Sequence, residues 1–429
     1  MAAGGPPRTR VTNRTSSFAP RESRMHAADA HAPIQQARRL VADLLAPNPV
    51  IYWADFIASL VLGYGATFVY LEAAPFSATQ IAAWLVAGLA LFRLSLFIHE
   101  IVHFRRGEMT AFKAAWNLLA GIPLLMPSFL YEHHLDHHNA RHYGTPRDGE
   151  YLPLGVARLR TMLGYLAEIA ILPALAVLRF LVGTPLSFLH PRLRQFMLER
   201  CSPLVINLRY RREIPADAPR GLWAALEWAC FLRACGLFTF LVASQVSVGG
   251  QSIDVGWQRP VKLYLLAMLA LGLNHVRTLV AHRFTSDGER KSFAEQLDDS
   301  LNIEGRTPLV ALMFPVGLQY HALHHLFPSI PYHNLGRAHR RIRSALPDWA
   351  AYRAATYRTF GAAVRDLLAS ARTACAAPPP PADRWFAVRR AGLAAWHRDH
   401  ASLPLGSAAT APSADHPPAD SPPTTRQAG

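Results

Sequence analysis

Cysteine is scarce in this chain. Cys201, Cys230, Cys235 and Cys375 are its four cysteines in 429 residues, and none belongs to a CxxC pair. That spacing excludes a disulfide framework, and Cys230 and Cys235, set inside an apolar run, are expected to be buried free thiols. Acidic residues are short as well: 29 Asp and Glu stand against 44 Lys and Arg, for a net charge of +15. A basic balance is one mark of a nucleic-acid binder. Here, however, the basic residues lie in loops beside long apolar runs, as in the cytoplasmic loops of membrane proteins. No nucleic-acid partner is expected. No apolar stretch of suitable length follows the first basic residues, so the N-terminus does not read as a secretory signal.

Hydrophobic residues make up 51% of the chain and gather between positions 50 and 330. Residues 1–35 carry Gly, Pro, Ser and Arg without apolar periodicity and are expected to form a disordered tail. Residues 36–345 read as a membrane-embedded catalytic domain, and 346–375 as a cytoplasmic helical extension. Residues 376–429 are Pro/Ala-rich and mostly disordered in expectation, apart from a short helix near 385–400 with Trp385 and Trp396.

A membrane span needs about 20 mostly apolar residues. Runs at 50–71, 79–98, 222–246 and 260–281 meet that need. Runs at 114–131 and 161–189 contain Pro123, Pro127, Pro173 and Pro185. They are expected to lie at the interface or to be re-entrant, because the charge pattern asks for an even number of crossings. Arg38, Arg39, Arg105, Arg106, Lys113, the arginines of 192–220, Arg283, Arg290 and Lys291 flank the runs on one side. The connection from Glu72 to Gln80 has no Lys or Arg, and 247–259 has only Arg259. Positive charge then puts both termini and the large loops in the cytoplasm. The fold class is an all-α integral membrane protein: four transmembrane helices, interfacial or re-entrant helices, and a cytoplasmic cap. The Arg/Ala-rich composition suggests a bacterial inner membrane.

Eight of the 20 histidines fall into three tight clusters. His99 and His103 frame His-Glu-Ile-Val-His. His134, His137 and His138 form His-Leu-Asp-His-His. His321, His324 and His325 form His-Ala-Leu-His-His. Side chains at i, i+3 and i+4 share a helical face, so each cluster can aim several imidazoles at one region. Neutral imidazole suits iron, copper, nickel and zinc. Eight exceed the needs of one tetrahedral zinc and fit two metals with positions left open. Each cluster sits at the edge of an apolar run, where ionisable residues indicate function. His282, just past the run 260–281, is a ninth candidate ligand. His275 and Asn274 read as core polar residues. His133, His142, His333 and His339 lie near the clusters without a defined role, and His26, His31, His190, His397, His400 and His416 read as surface histidines.

Metal-bound histidine usually gives its second N–H to a carboxylate or carbonyl. Glu100 and Asp136 are the expected partners. Asp148, Glu150, Glu132, Asp287 and Glu289 read as exposed loop acids.

The His-x-x-x-His, His-x-x-His-His, His-x-x-His-His series resembles the membrane-bound fatty-acid desaturases and their hydroxylase relatives. The third cluster continues as Leu326-Phe327-Pro328, Pro331 and Asn334-Leu335, which strengthens the likeness. It covers about residues 50–345. The resemblance implies two non-haem irons held by the clustered histidines, with His282 in the place of the family's extra ligand. It implies dioxygen as co-substrate, a fatty-acyl lipid substrate and electrons from a separate ferredoxin- or cytochrome-like protein, since no fused haem domain is evident. Two positions depart from relatives: the third cluster opens with His321, with Gln319 two residues earlier, and Thr278 stands where some acyl-CoA desaturases have Asn.

The expected reaction is desaturation of a fatty-acyl chain, with hydroxylation as the alternative. His99-Glu100-Ile101-Val102-His103 also satisfies HExxH, the zinc-peptidase pattern, although that reading leaves six histidines unexplained. A metal transporter or store is the non-enzymatic alternative, but transporters place their ligands near the bilayer midplane.

Overall fold

A computed structural model describes residues 27–243, 247–248, 251–252, 258–376, 382–387 and 389–390. The expectations for residues 1–26 and 391–429, including Trp396, lie outside the described residues.

The architecture is almost wholly helical. Helix α1 is Ala27–Leu40, α2 Pro49–Glu72, α3 Ala78–His103 and α4 Thr110–Trp116. Next come α5 (Leu172–Leu189), α6 (Arg220–Ala243) and α7 (Gln258–Thr278). The cap contributes α8 (His321–Leu326), α9 (Tyr332–Ala345) and α10 (Phe360–Ala376). Helix α1 starts inside the stretch expected to be disordered, because Ala37 and Val41 find buried places in one cluster with Ala338 and Ile342 of α9.

Helices α2 and α3 form an antiparallel pair with well-defined starts. Asn48 caps α2 by accepting from Val50 N, with Pro49 in the first turn, and Ser77 caps α3 by accepting from Gln80 N. Tyr52, Phe56, Phe92 and Phe97 fill the seam, while Ile57, Val61 and Phe68 face outward. Such an exposed apolar face on a long helix is a lipid-facing surface. Helix α7 packs on α3 where Gly88 lets Leu269 approach; a Cβ at Gly88 would lie 2.2 Å from Leu269 Cδ2.

Polar ties fix the direction of α7. Arg259 bonds Glu72 at 2.6 Å, and Lys262 Nζ donates to Leu71 O at 2.8 Å. The start of α7 therefore sits at the end of α2, so its own end lies beside the end of α3. His103 and His282 are brought to the same end of the bundle.

The run 114–131 turns back on itself, as expected of a re-entrant segment. It continues past α4 as a wider turn at Asn117–Gly121, reverses through Leu125 at φ 56°, and returns through Ser128–Tyr131. Asn117 closes the reversal: its Nδ2 donates to Ser128 Oγ at 3.0 Å and its Oδ1 accepts from Ser128 N at 2.8 Å. Trp116 Nε1 donates to Leu94 O at 2.9 Å, which pins the loop against α3. The return strand of this loop delivers His134.

Among the described residues, four helices are long and apolar enough to cross a membrane: Pro49–Glu72, Ala78–His103, Leu172–Leu189 and Arg220–Val242. The count agrees with the sequence, but one member differs. By hydropathy α5 qualifies where α7 does not, although α7 runs beside α3 from the end of α2 to the histidine end of the bundle. Arg259, Lys262, His275 and Arg277 lower the apolar character of α7. Arg179 of α5 is instead neutralised internally: it bonds Glu227 of α6 at 2.5 Å and Ser202 Oγ at 2.8 Å.

The cap closes over the bundle end with the strand pairs Asn302–Ile303 and Thr356–Tyr357, and with Trp385, buried and donating to Gly144 O at 2.9 Å. Gly155 N donates to Phe284 O at 3.1 Å. A Cβ at Gly155 would lie 1.9 Å from Arg283 O, which is backbone and cannot turn aside. Gly155→Ala is expected to destabilise the cap by about 1–3 kcal/mol, as overpacking does. Thermal unfolding of the detergent-solubilised protein reads this as a lower midpoint; an unchanged midpoint would contradict it.

Candidate metal centre

Nine imidazoles converge at the bundle end, in two groups. His99, His103, His134, His138 and His324 form one; His137, His282, His321 and His325 form the other. Within each group one ligand atom per residue lies within 4.8 Å of all the others. The spacing of the clusters explains the partition. At 3.6 residues per turn, i+4 lies about 40° round the helix from i and i+3 about 60° in the opposite sense, so on one face i and i+4 pair more closely than i+3 and i+4. Thus His134 and His138 join one group and His137 the other; His321 and His325 join one and His324 the other. Each of these two clusters therefore spans both groups.

The spacing within groups is short. Nε2 atoms approach at 2.9 Å (His321 and His282), 3.0 Å (His138 and His134), 3.1 Å (His137 and His282; His324 and His103) and 3.2 Å (His325 and His321). For metal–nitrogen bonds near 2.1 Å, adjacent ligands are about 3.0 Å apart in an octahedron and about 3.4 Å apart in a tetrahedron. The observed spacings match the octahedral edge.

The site also fails to satisfy itself by hydrogen bonding. Both ring nitrogens of His99 are buried without a hydrogen-bond partner among the described residues, and the inward Nε2 atoms of the other rings face only one another. Orphaned buried nitrogens are costly. Burial, with the neighbouring imidazoles, pushes His134, His138, His282, His321, His324 and His325 well below the ordinary histidine range. Neutral rings present lone pairs rather than protons, the state a metal ligand needs. Burial acts the same way on His137, but Asp148 outweighs it and raises that ring. This donor set fits two cations.

Acids and a tyrosine orient the rings. His137 Nδ1–H donates to Asp148 Oδ2 at 2.8 Å, and His134 Nδ1–H to Glu150 Oε1 at 2.5 Å. His282 Nδ1–H donates to the Tyr143 hydroxyl at 2.8 Å, which in turn donates to Asp299 Oδ2 at 2.8 Å. Each bond fixes the proton on Nδ1 and leaves Nε2 free to face inward. Burial lifts the Glu150 carboxyl to about 7.

Several sequence expectations change here. Asp148 and Glu150, read as exposed loop acids, orient ligands. Asp136 instead accepts from Tyr210 at 3.3 Å, and Glu100 accepts from Tyr52 and from Tyr332 N. Tyr143 and Asp299 were not anticipated, since nothing local marks a pair 156 positions apart. His275 stacks on Tyr165 and donates to Leu271 O, as a core polar residue should. His133 bonds Leu130 O, His333 accepts from Asn48 N, and His339 bonds Tyr352 and Glu304; none of these joins either group.

The family profile described as fatty acid desaturase matches residues 75–356. The chain belongs to the fatty acid desaturase family. This family member is also similar to a protein named ceramide hydroxylase from Caulobacter vibrioides, with 38% identity over 345 residues, 79% of this chain and 93% of the relative. No solved structure matches. The desaturase-family chain is thus a membrane oxidoreductase that modifies lipid.

Loss of an orienting partner typically costs 10–100-fold in metal affinity. Asp148→Asn keeps the shape of the side chain but weakens the acceptor for His137. It is expected to lower metal retention against a chelator by about 10–100-fold, measured by metal analysis after dialysis. Retention equal to that of the parent protein would contradict the orienting role.

Proposed function

We propose that this chain is a dioxygen-dependent di-iron hydroxylase acting on a ceramide-type lipid. The observation that carries the reading is the likeness to the Caulobacter ceramide hydroxylase over nearly its whole length. It reverses the preference drawn from the histidine clusters alone, which favoured desaturation over hydroxylation.

The nine ligands are His99, His103, His134, His138 and His324 for one iron, and His137, His282, His321 and His325 for the other. When bound there, two irons supply dioxygen reduction and cleavage of an unactivated C–H bond. The remaining work belongs to the protein. Asp148, Glu150 and Tyr143 hold the imidazoles in their ligating tautomers. An open apolar groove of about 380 Å³ along α7, facing Trp84 of α3 and lined by Leu265, Met268, Leu269, Gly272 and Val276 among others, takes the hydrocarbon chain. Helix α7 leads from that groove to His282, so a chain lying along it approaches the imidazoles.

Electrons come from a separate ferredoxin- or cytochrome-like donor with its reductase. The histidine end of the bundle and both termini face the cytoplasm, in keeping with Arg105, Arg106, Arg283 and Arg290 at that end and with the positive-inside rule. The membrane is a bacterial inner membrane.

The peptidase reading loses its base: the Glu100 carboxylate is engaged by the Tyr52 hydroxyl and Tyr332 N. Glu100→Gln is therefore expected to weaken packing rather than remove a catalytic base.

The test is lipid profiling of a ceramide-producing host that expresses the chain with a compatible electron donor. A ceramide heavier by one oxygen atom is the expected product. A lipid lighter by two hydrogens, with no oxygenated product, would overturn hydroxylation in favour of desaturation.

A further inference from the structure

Three arginines are buried among the described residues: Arg179, Arg212 and Arg277. Two of them have carboxylate partners. Arg179 pairs with Glu227 at 2.5 Å and Arg212 with Glu132 at 2.9 Å. Arg277 has none within ion-pair distance among the described residues. It is 9% exposed, and its Nε has no partner. Its hydrogen bonds run from Nη2 to two neutral oxygens on its own helix, Asn274 Oδ1 and Thr278 Oγ1, both at 3.1 Å. A buried cation left this way costs several kcal/mol, and an ionisable group at membrane depth indicates function.

Its position says what it could meet. Arg277 follows Val276, which lines the apolar groove, and precedes His282 by five residues. Its hydrogen bonds to Asn274 and Thr278 hold the guanidinium on the last turn of α7, between Val276 of the groove lining and the ligand His282.

We propose that Arg277 is a substrate-binding residue that donates to an oxygen of the lipid, an amide carbonyl or a hydroxyl, next to the carbon that is oxidised. The inference rests on the lipid-oxidising reading above and sharpens it. A chain attacked at a remote methylene would bring only hydrocarbon to this place and leave the guanidinium without an acceptor. A lipid attacked close to its polar group satisfies Nε. Arg rather than Lys suits the role, because Nη2 can hold Asn274 and Thr278 while the Nε–H beside it remains for the ligand. The residue thereby sets which carbon of the chain is presented.

The test uses the full chain in membranes, with its electron donor and N-palmitoyl sphinganine as the probe. Arg277→Met keeps length and removes the charge. It is expected to retain the parent iron content, raise KM roughly ten- to hundredfold, as loss of a hydrogen bond from a charged group does, and scatter oxidation over several carbons. Arg277→Lys keeps the charge and removes the fork, and is expected to scatter the position with a smaller rise in KM; it serves if the Met variant fails to fold. Unchanged KM with a single oxidation position in either variant overturns the proposal. So does iron loss that tracks the loss of activity, which marks a structural role. A parent enzyme that oxidises only carbons remote from any oxygen also overturns it. If the parent makes an alkene next to the polar group, hydroxylation fails, and the Arg277 variants still decide this proposal by where the alkene falls.

Discussion

Replacing His137 and His324 together by alanine is expected to leave the chain without bound iron and without turnover. The two residues belong to different groups, so each group loses one imidazole. Both are almost fully buried. Neither vacancy can be filled by a neighbour, because the remaining rings are fixed by their own helices. His324 Nε2 lies 3.1 Å from that of His103, and His137 Nε2 lies 3.1 Å from that of His282. Losing either removes one edge of a closely spaced polyhedron. Metal analysis of the purified parent should give about two irons per chain, on the reasoning that nine imidazoles exceed one coordination sphere. The double variant should give close to none. One zinc per chain, retained in the double variant, would instead favour the HExxH reading.

The second large effect is expected at Asp299, which is 2% exposed. Its Oδ2 accepts from Tyr143 at 2.8 Å and Tyr151 at 2.9 Å, and its Oδ1 accepts from Thr285 N at 3.1 Å and Thr285 Oγ1 at 3.0 Å. Asp299→Ala strands two buried tyrosine hydroxyls, each at a cost of about 1–3 kcal/mol. The Tyr143 hydroxyl is then free to rotate, and His282 loses the fixed acceptor that set its tautomer. The four-imidazole group should suffer first, because its partner group is oriented separately through Glu150. Iron content is expected to fall toward one per chain, with a lower unfolding temperature. Equal loss from both groups, or no loss, would contradict this division of labour.

The histidine clusters were legible because helical spacing is local. His-x-x-His-His carries its geometry within five residues, and the position of His282 at the end of an apolar run put it at the right depth. The re-entrant loop was legible for a similar reason, through Pro123 and Pro127. What the sequence could not reveal was pairing across distance. Asp148 and Glu150 look like loop acids until the chain folds over His137 and His134. Tyr143 reaches His282 and Asp299 from far away in sequence. Helix α5 looked too broken to cross, and α7 apolar enough, because a sequence reading counts charges one at a time. Arg179 is neutralised by Glu227 of another helix, whereas Arg277 has no such partner among the described residues. Helix α1 was missed because its stability comes from Ala37 and Val41 packing on α9, not from its own composition.

The central claim is that the two imidazole groups together insert oxygen into a lipid. Its most direct test is a turnover of the iron-loaded parent enzyme with ceramide under dioxygen carrying a heavy oxygen isotope. Heavy oxygen retained in a lipid hydroxyl, and absent when the His137→Ala, His324→Ala variant is used, is the predicted result. A lipid that loses hydrogen without gaining labelled oxygen, or an oxygenated lipid formed equally by the variant, would contradict it.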